Sequence, residues 1–198
     1  IRTERTPPET MFLNAQSQMW IFAAYELLRT WRARAKDVIK WADNGGLETK
    51  AAALEEDQGF LHTSREMRAE QLRKIAANPR KIETVKTDLR RAHIPFSRIE
   101  HLRISLAKHE VRGRRNSVAY APGYGRIHMM NGSLQYQLEN GPVILDTISR
   151  RDIADELRAL NDTSTIPTDE DIASFDEFMR ASMSKDELEA MRSGEADF

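Results

Sequence analysis

The sequence predicts a mainly α protein: an antiparallel helical bundle carrying a small three-stranded antiparallel β-meander and short C-terminal helices. Three observations carry that expectation. Apolar residues recur at spacings of three and four through most of residues 9–110. The period then changes to two around Asn131-Gly132, the strongest two-residue hairpin signal. After residue 148, three capping boxes follow one another: Ser149/Asp152, Thr168/Asp171 and Ser184/Glu187.

The first helix is expected over 9–43. Phe12, Ala15, Met19, Phe22 and Ala23 keep the helical spacing, and so do Trp20, Leu27, Trp31, Ala35, Val38 and Ala42. From 19 to 28 the helix is apolar nearly all round, so this segment is expected to be buried on several sides. Asn44-Gly45-Gly46 supplies the stop. Residues 47–58 read as a weaker helix or a polar connector ended by Gly59. Thr63 with Glu66 forms a capping box and starts a helix over 64–77, stopped by Asn78-Pro79. A further helix is expected over 81–92, broken by Pro95, and another over 96–110, anchored by Ile99, Leu102, Ile104 and Leu106.

Beyond Gly113, Arg126–Met130 and Ser133–Leu138 are expected to pair across Asn131-Gly132, with Leu134, Tyr136 and Leu138 alternating on one face. A second turn at Asn140-Gly141-Pro142 leads to a third strand over 143–148. So small a sheet is marginal alone and must pack on the helices. The expected segments are a helical bundle over 1–112, a basic loop and meander over 113–148, and acidic helices over 149–198.

The 198 residues suit one domain, or one domain with an appendage. There is no cysteine, which removes disulfide and thiolate chemistry and fits a reducing compartment. The longest apolar run, Met19–Tyr25, is seven residues, against about 20 for a membrane span. With no signal-peptide pattern either, a cytoplasmic protein with no membrane contact is expected. A chain opening on Ile1 is expected to lack its native start. The net charge of −1 conceals a division. Residues 90–126 hold nine Lys/Arg against two Glu, a balance of +7; residues 152–198 hold 14 Asp/Glu against four Lys/Arg, a balance of −10. A basic middle can meet nucleic acid, and an acidic tail can cover it in the same chain or dock a partner.

Most chemistry is excluded by pattern. The histidines at 62, 93, 101, 109 and 128 are scattered; neither His62/Glu66 nor Glu100/His101 makes a metal-ligand cluster, so no metal and no cofactor are expected. No serine sits in a nucleophile motif. APGYGR (121–126) is glycine-rich enough to approach a phosphate, with Tyr124 stacking on a base, but it lacks the spacing and lysine of a phosphate-binding loop. It reads first as a turn into the hairpin, and a nucleotide-binding module is the third reading of the chain.

That leaves LRISLAKHEV, residues 102–111, where Arg103 and His109 are separated by five residues on a late helix and followed by Arg112, Arg114 and Arg115. This pattern resembles the signature of the HEPN superfamily, an arginine and a histidine four to six residues apart. The resemblance spans about residues 9–112. It departs from the common pattern at Ile104, where many members carry a polar residue. It implies a bundle that dimerises, with the Arg/His pairs of both chains meeting at the interface. It also implies either metal-independent endoribonuclease activity of a toxin-antitoxin or defence type, or, in members without catalysis, a binding module.

The chemistry agrees. Cleaving RNA without a metal needs a base for the 2′-hydroxyl, an acid for the leaving 5′-oxygen and positive charge for the phosphorane. Histidine serves as acid or base near neutrality, and arginine offers a permanent bidentate fork. The expected catalytic residues are Arg103 and His109, with Lys108, Arg112, Arg114, Arg115, Tyr124 and Arg126 binding the nucleic acid. On a straight helix, positions six apart differ by about 240° in azimuth. The pair therefore needs a loosened helix end or a second chain, and a homodimer through the long helices is expected. The competing expectation is a non-catalytic dimerisation module with an acidic tail for a protein partner.

Overall fold

The computed structural model describes residues 8–56, 59, 63–107, 126–130, 132–140, 143–161 and 166–180. Helix α1 (Pro8–Asp43) runs 36 residues and is the spine on which most of the other elements pack. It ends where Gly45 takes φ +71°, a left-handed conformation that glycine adopts without a Cβ penalty, and the Gly46 N–H returns to the Trp41 carbonyl at 2.7 Å. Helix α2 (Leu47–Glu55) and helix α3 (Thr63–Ala76) then form a hairpin against the C-terminal half of α1. Val38, Leu47, Ala51, Ala69, Leu72 and Ile75 make its core.

Helix α4 (Pro79–Arg91) begins two residues earlier than expected. Pro79 does end α3, but it also occupies the first turn of α4, where a missing N–H costs nothing, and the Asn78 side chain caps the Arg80 N–H at 3.1 Å. The same reason moves the next boundary. Helix α5 (His93–Ala107) starts before Pro95 rather than after it, because Pro95 falls in the first turn, whose N–H groups have no intrahelical partner. Phe96, Ile99, Leu102 and Leu106 lie along its buried face.

Two seven-residue strands, β2 (Leu134–Asn140) and β3 (Val143–Ser149), form an antiparallel ribbon. A two-residue segment, β1 (Arg126–Ile127), pairs with the start of β2. The turn between them is wider than a two-residue hairpin turn. It is closed by the His128 N–H donating to the Ser133 carbonyl at 2.7 Å, with Gly132 at φ +66°. Leu134, Tyr136 and Leu138 face the core as the alternation requires. The register slips between Leu138 and Glu139, so that Leu138 faces Asp146 while Glu139 faces Ile144. One extra residue reverses the facing of what precedes it. Leu145 thereby packs against the core and Ile144 is 55% exposed.

Helix α6 (Arg150–Ala159) starts on the Ser149 capping box, with both reciprocal bonds formed at 2.8 and 3.2 Å. Helix α7 (Asp169–Arg180) starts on the Thr168/Asp171 box in the same way. The third expected box, Ser184/Glu187, lies outside the described residues.

The main core joins α1 (Ile21, Tyr25), α5, the ribbon and Ile153 of α6. Two polar residues of α1 serve this packing: Ser17 is buried, and Asn14 accepts the Tyr136 hydroxyl at 2.9 Å, seating the ribbon on the helix. The expectation that 19–28 is buried on several sides is not met within one chain. Ile21 and Tyr25 face the core, whereas Met19 and Leu27 are more than 70% exposed. The core elements lie along one side of α1, and the opposite stripe has no covering element among the described residues.

Candidate functional site

Arg103 sits on α5, one turn before the described end of that helix at Ala107. Its position follows from the helix period: Ile99, Leu102 and Leu106 turn to the core, and Arg103 falls at the border between core and solvent. There its guanidinium lies over the ring of Tyr25 from α1, 5.1 Å from the centroid. Its Nε is buried and has no hydrogen-bond partner among the described residues.

The surroundings of Tyr25 form a small mixed cluster between α1 and α5. Its ring stacks on Phe96 with centroids 5.8 Å apart, and Arg32 lies over the other aromatic, 4.3 Å from the Phe96 centroid. Its hydroxyl donates to Glu100 Oε1 at 3.3 Å. Burial first, then the Glu100 carboxylate, pushes the Tyr25 hydroxyl above its ordinary pKa, with the Arg103 charge opposing. Glu100 is thus engaged by the tyrosine, and among the described residues no carboxylate pairs with Arg103.

The other arginines of the basic segment are committed differently. Arg98 reaches two acids at once, Asp146 of β3 and Glu156 of α6, and this triad ties the ribbon and α6 to α5. Arg90 pairs with Asp169 of α7 at 2.6 Å and also donates to the Pro167 carbonyl. Arg91 faces Asp88 at 3.5 Å. His93 and Asp176 approach to 2.9 Å, so that α7 is tied to α5 as well as to α4. Part of the acidic C-terminal half therefore covers part of the basic middle within the same chain.

The sequence singles out Arg103 as a candidate but gives no sign of its setting. Tyr25 and Glu100 lie 75 positions apart, and neither carries a local signal beyond helical spacing. His109, Lys108, Arg112, Arg114, Arg115 and Tyr124 lie outside the described residues. Arg126 is placed only by its backbone, opposite Gln135. Ile104, the departure from the HEPN pattern, is 37% exposed beside Arg103. Among the described residues no three histidine or carboxylate side chains gather as a metal would need, and no helix is long and apolar enough to cross a membrane. His62 is not described, and the ring of His128 accepts the Met130 N–H at 3.2 Å.

No protein-family model matches the chain, and no curated protein and no solved structure matches it. What the fold defines is a mainly helical protein with a small antiparallel sheet packed on its longest helix.

Proposed function

We propose that the chain is a HEPN-like RNA-binding protein acting as a homodimer, and that it cleaves RNA without a metal. The observation that carries this reading is the state of Arg103. It stands on a cation–π seat, near the last described residue of its helix, and no described carboxylate neutralises it. His109 follows six positions on. In the proposed reaction, the 2′-hydroxyl loses its proton to one histidine as its oxygen attacks phosphorus. The bond from phosphorus to the 5′-oxygen breaks, and that oxygen takes a proton from a second histidine. The products are a 2′,3′-cyclic phosphate and a 5′-hydroxyl. One histidine cannot be base and acid in a single step, so His109 of the partner subunit supplies the other role. Arg103 meets the charge that grows on the phosphorane oxygens.

The test is cleavage of a labelled RNA in EDTA by the wild type, His109→Ala and Arg103→Ala. Loss by at least about 100-fold in both variants is expected. Equal activity in all three ends the nuclease reading.

A second reading keeps the dimer and drops catalysis: an interaction module whose acidic C-terminal helices dock a protein partner. The exposed apolar stripe of α1 is compatible with it, because a surface for association is called for whether or not Arg103 and His109 act on RNA. An inactive wild type that is still dimeric selects this reading.

A further inference from the structure

A cleft of about 680 Å³ lies between the second half of α1 and α3, away from Arg103, and its chemistry belongs to neither reading above. Its size falls in the range of small-molecule sites, roughly 300–1,000 Å³. The cations around it are Arg34 of α1 and Arg65, Arg68 and Lys74 of α3. Two of these are already engaged. Lys74 pairs with Glu70 at 2.6 Å, one helical turn away. Arg65 donates to the Leu54 and Ala53 carbonyls at 3.1 and 2.9 Å, closing the C-terminal end of α2.

Arg34 and Arg68 are left. Arg68 donates to the side chain of Gln71, and among the described residues neither Arg68 nor Arg34 has an ion pair. They come from different helices yet are close enough to feel one another. Burial first, then the Arg34 charge, holds the Arg68 guanidinium below its ordinary pKa, and Asp37 opposes this only in part. Two guanidinium groups that line one cleft repel each other, and Asp37 offsets that repulsion only in part. Ser64, Arg68 and Gln71 share one face of α3 at spacings of four and three, so a hydroxyl and an amide stand beside the guanidinium. Leu54 and Met67 supply apolar wall next to this polar set.

We propose that this cleft binds a phosphate chain, the di- or triphosphate group of a small molecule, between Arg34 and Arg68. Two planar forks from different helices lining one cleft suit tetrahedral oxyanions, which accept bidentate bonds from each fork. More than one negative charge is required, because a monoanion leaves one guanidinium uncompensated. The apolar wall accommodates an organic group attached to the chain without being needed for capture.

The probes are inorganic pyrophosphate, triphosphate, ATP and adenosine, read by calorimetry and by thermal unfolding of the full chain at low salt. Pyrophosphate and triphosphate are expected to bind and raise the Tm, ATP to compete with them, and adenosine to do neither. Arg34→Gln and Arg68→Gln should each weaken pyrophosphate by about tenfold or more. Arg34→Lys and Arg68→Lys, which keep the charge and lose the fork, should fall between. A further readout needs no ligand. Removing one charge of the repelling pair should raise the Tm of unliganded Arg34→Gln by about 1–3 °C. Arg29→Gln, which loses only its pairing with Glu26, should change neither affinity nor this balance. The proposal is overturned if wild type does not respond to pyrophosphate or triphosphate, if adenosine binds as ATP does, or if the double variant, helical by circular dichroism, responds like wild type. Variants that weaken only RNA binding also overturn it.

Discussion

Glu156 shows how much depends on one partner. It is largely buried, one of its oxygens has no hydrogen-bond partner among the described residues, and its other oxygen meets Arg98. Burial raises its pKa, and Arg98 only partly offsets that, with Asp152 and Asp146 adding to the rise. The consequence for stability follows from linkage. A carboxyl whose folded pKa lies above its unfolded value holds more protons in the folded state. The contribution of this group to stability is therefore greatest below the ordinary carboxylate range, near pH 4.3, and is lost as pH rises through the raised value. Glu156→Gln should flatten that slope and cost little at pH 7. Arg98→Ala should do the opposite, leaving two acids from different elements without their cation, at a cost of about 1–3 kcal/mol. Urea melts at pH 4.5 and pH 7 distinguish the two; equal losses in both variants at pH 7 would contradict this role for Arg98. No local pattern announces the triad, because its members are brought together only by the docking of β3 and α6 on α5. Arg103 differs: its separation from His109 is a local signal, legible before any fold is known.

At the scale of elements, the helices were legible because spacing, caps and glycines are local, and the two prolines moved boundaries rather than removing helices. What spacing does not reveal is how many sides of a helix find cover. Phe12, Met19 and Leu27 share one stripe of α1 with the small Ala15 and Ala23, and the three large side chains are 65%, 71% and 73% exposed. The core elements reach only the other side. A second copy is the proposed occupant of this stripe. Met19→Glu with Leu27→Glu places charge in that interface and touches no buried residue of the core. The double variant should sediment as a 22.7 kDa monomer with unchanged helix content, while the wild type sediments at twice that mass. A monomeric wild type, or a dimer indifferent to both charges, would remove the stripe from the interface.

For the whole molecule the governing feature is the separation of charge along the chain. Composition made it visible, but the structure adds which acids meet which bases. At the α4–α5 junction Asp169 of α7 forms an ion pair with Arg90, and Asp176 hydrogen-bonds His93, at a partly exposed edge. Helix α7 itself buries no residue completely. Such pairs are weak singly and screened by salt. If the basic middle meets RNA, the phosphates compete with α7 for the same cations. Asp169→Asn with Asp176→Asn should therefore tighten single-stranded RNA binding several-fold at low salt. The double variant should also steepen the fall of log K with log salt by about 0.7 for each further phosphate that the freed cations neutralise. The effect should fade at high salt, where screening has already loosened both competitors. An affinity and a salt slope identical to wild type would mean that α7 covers no part of the RNA path. The acidic half would then serve this chain only by holding its own helices together.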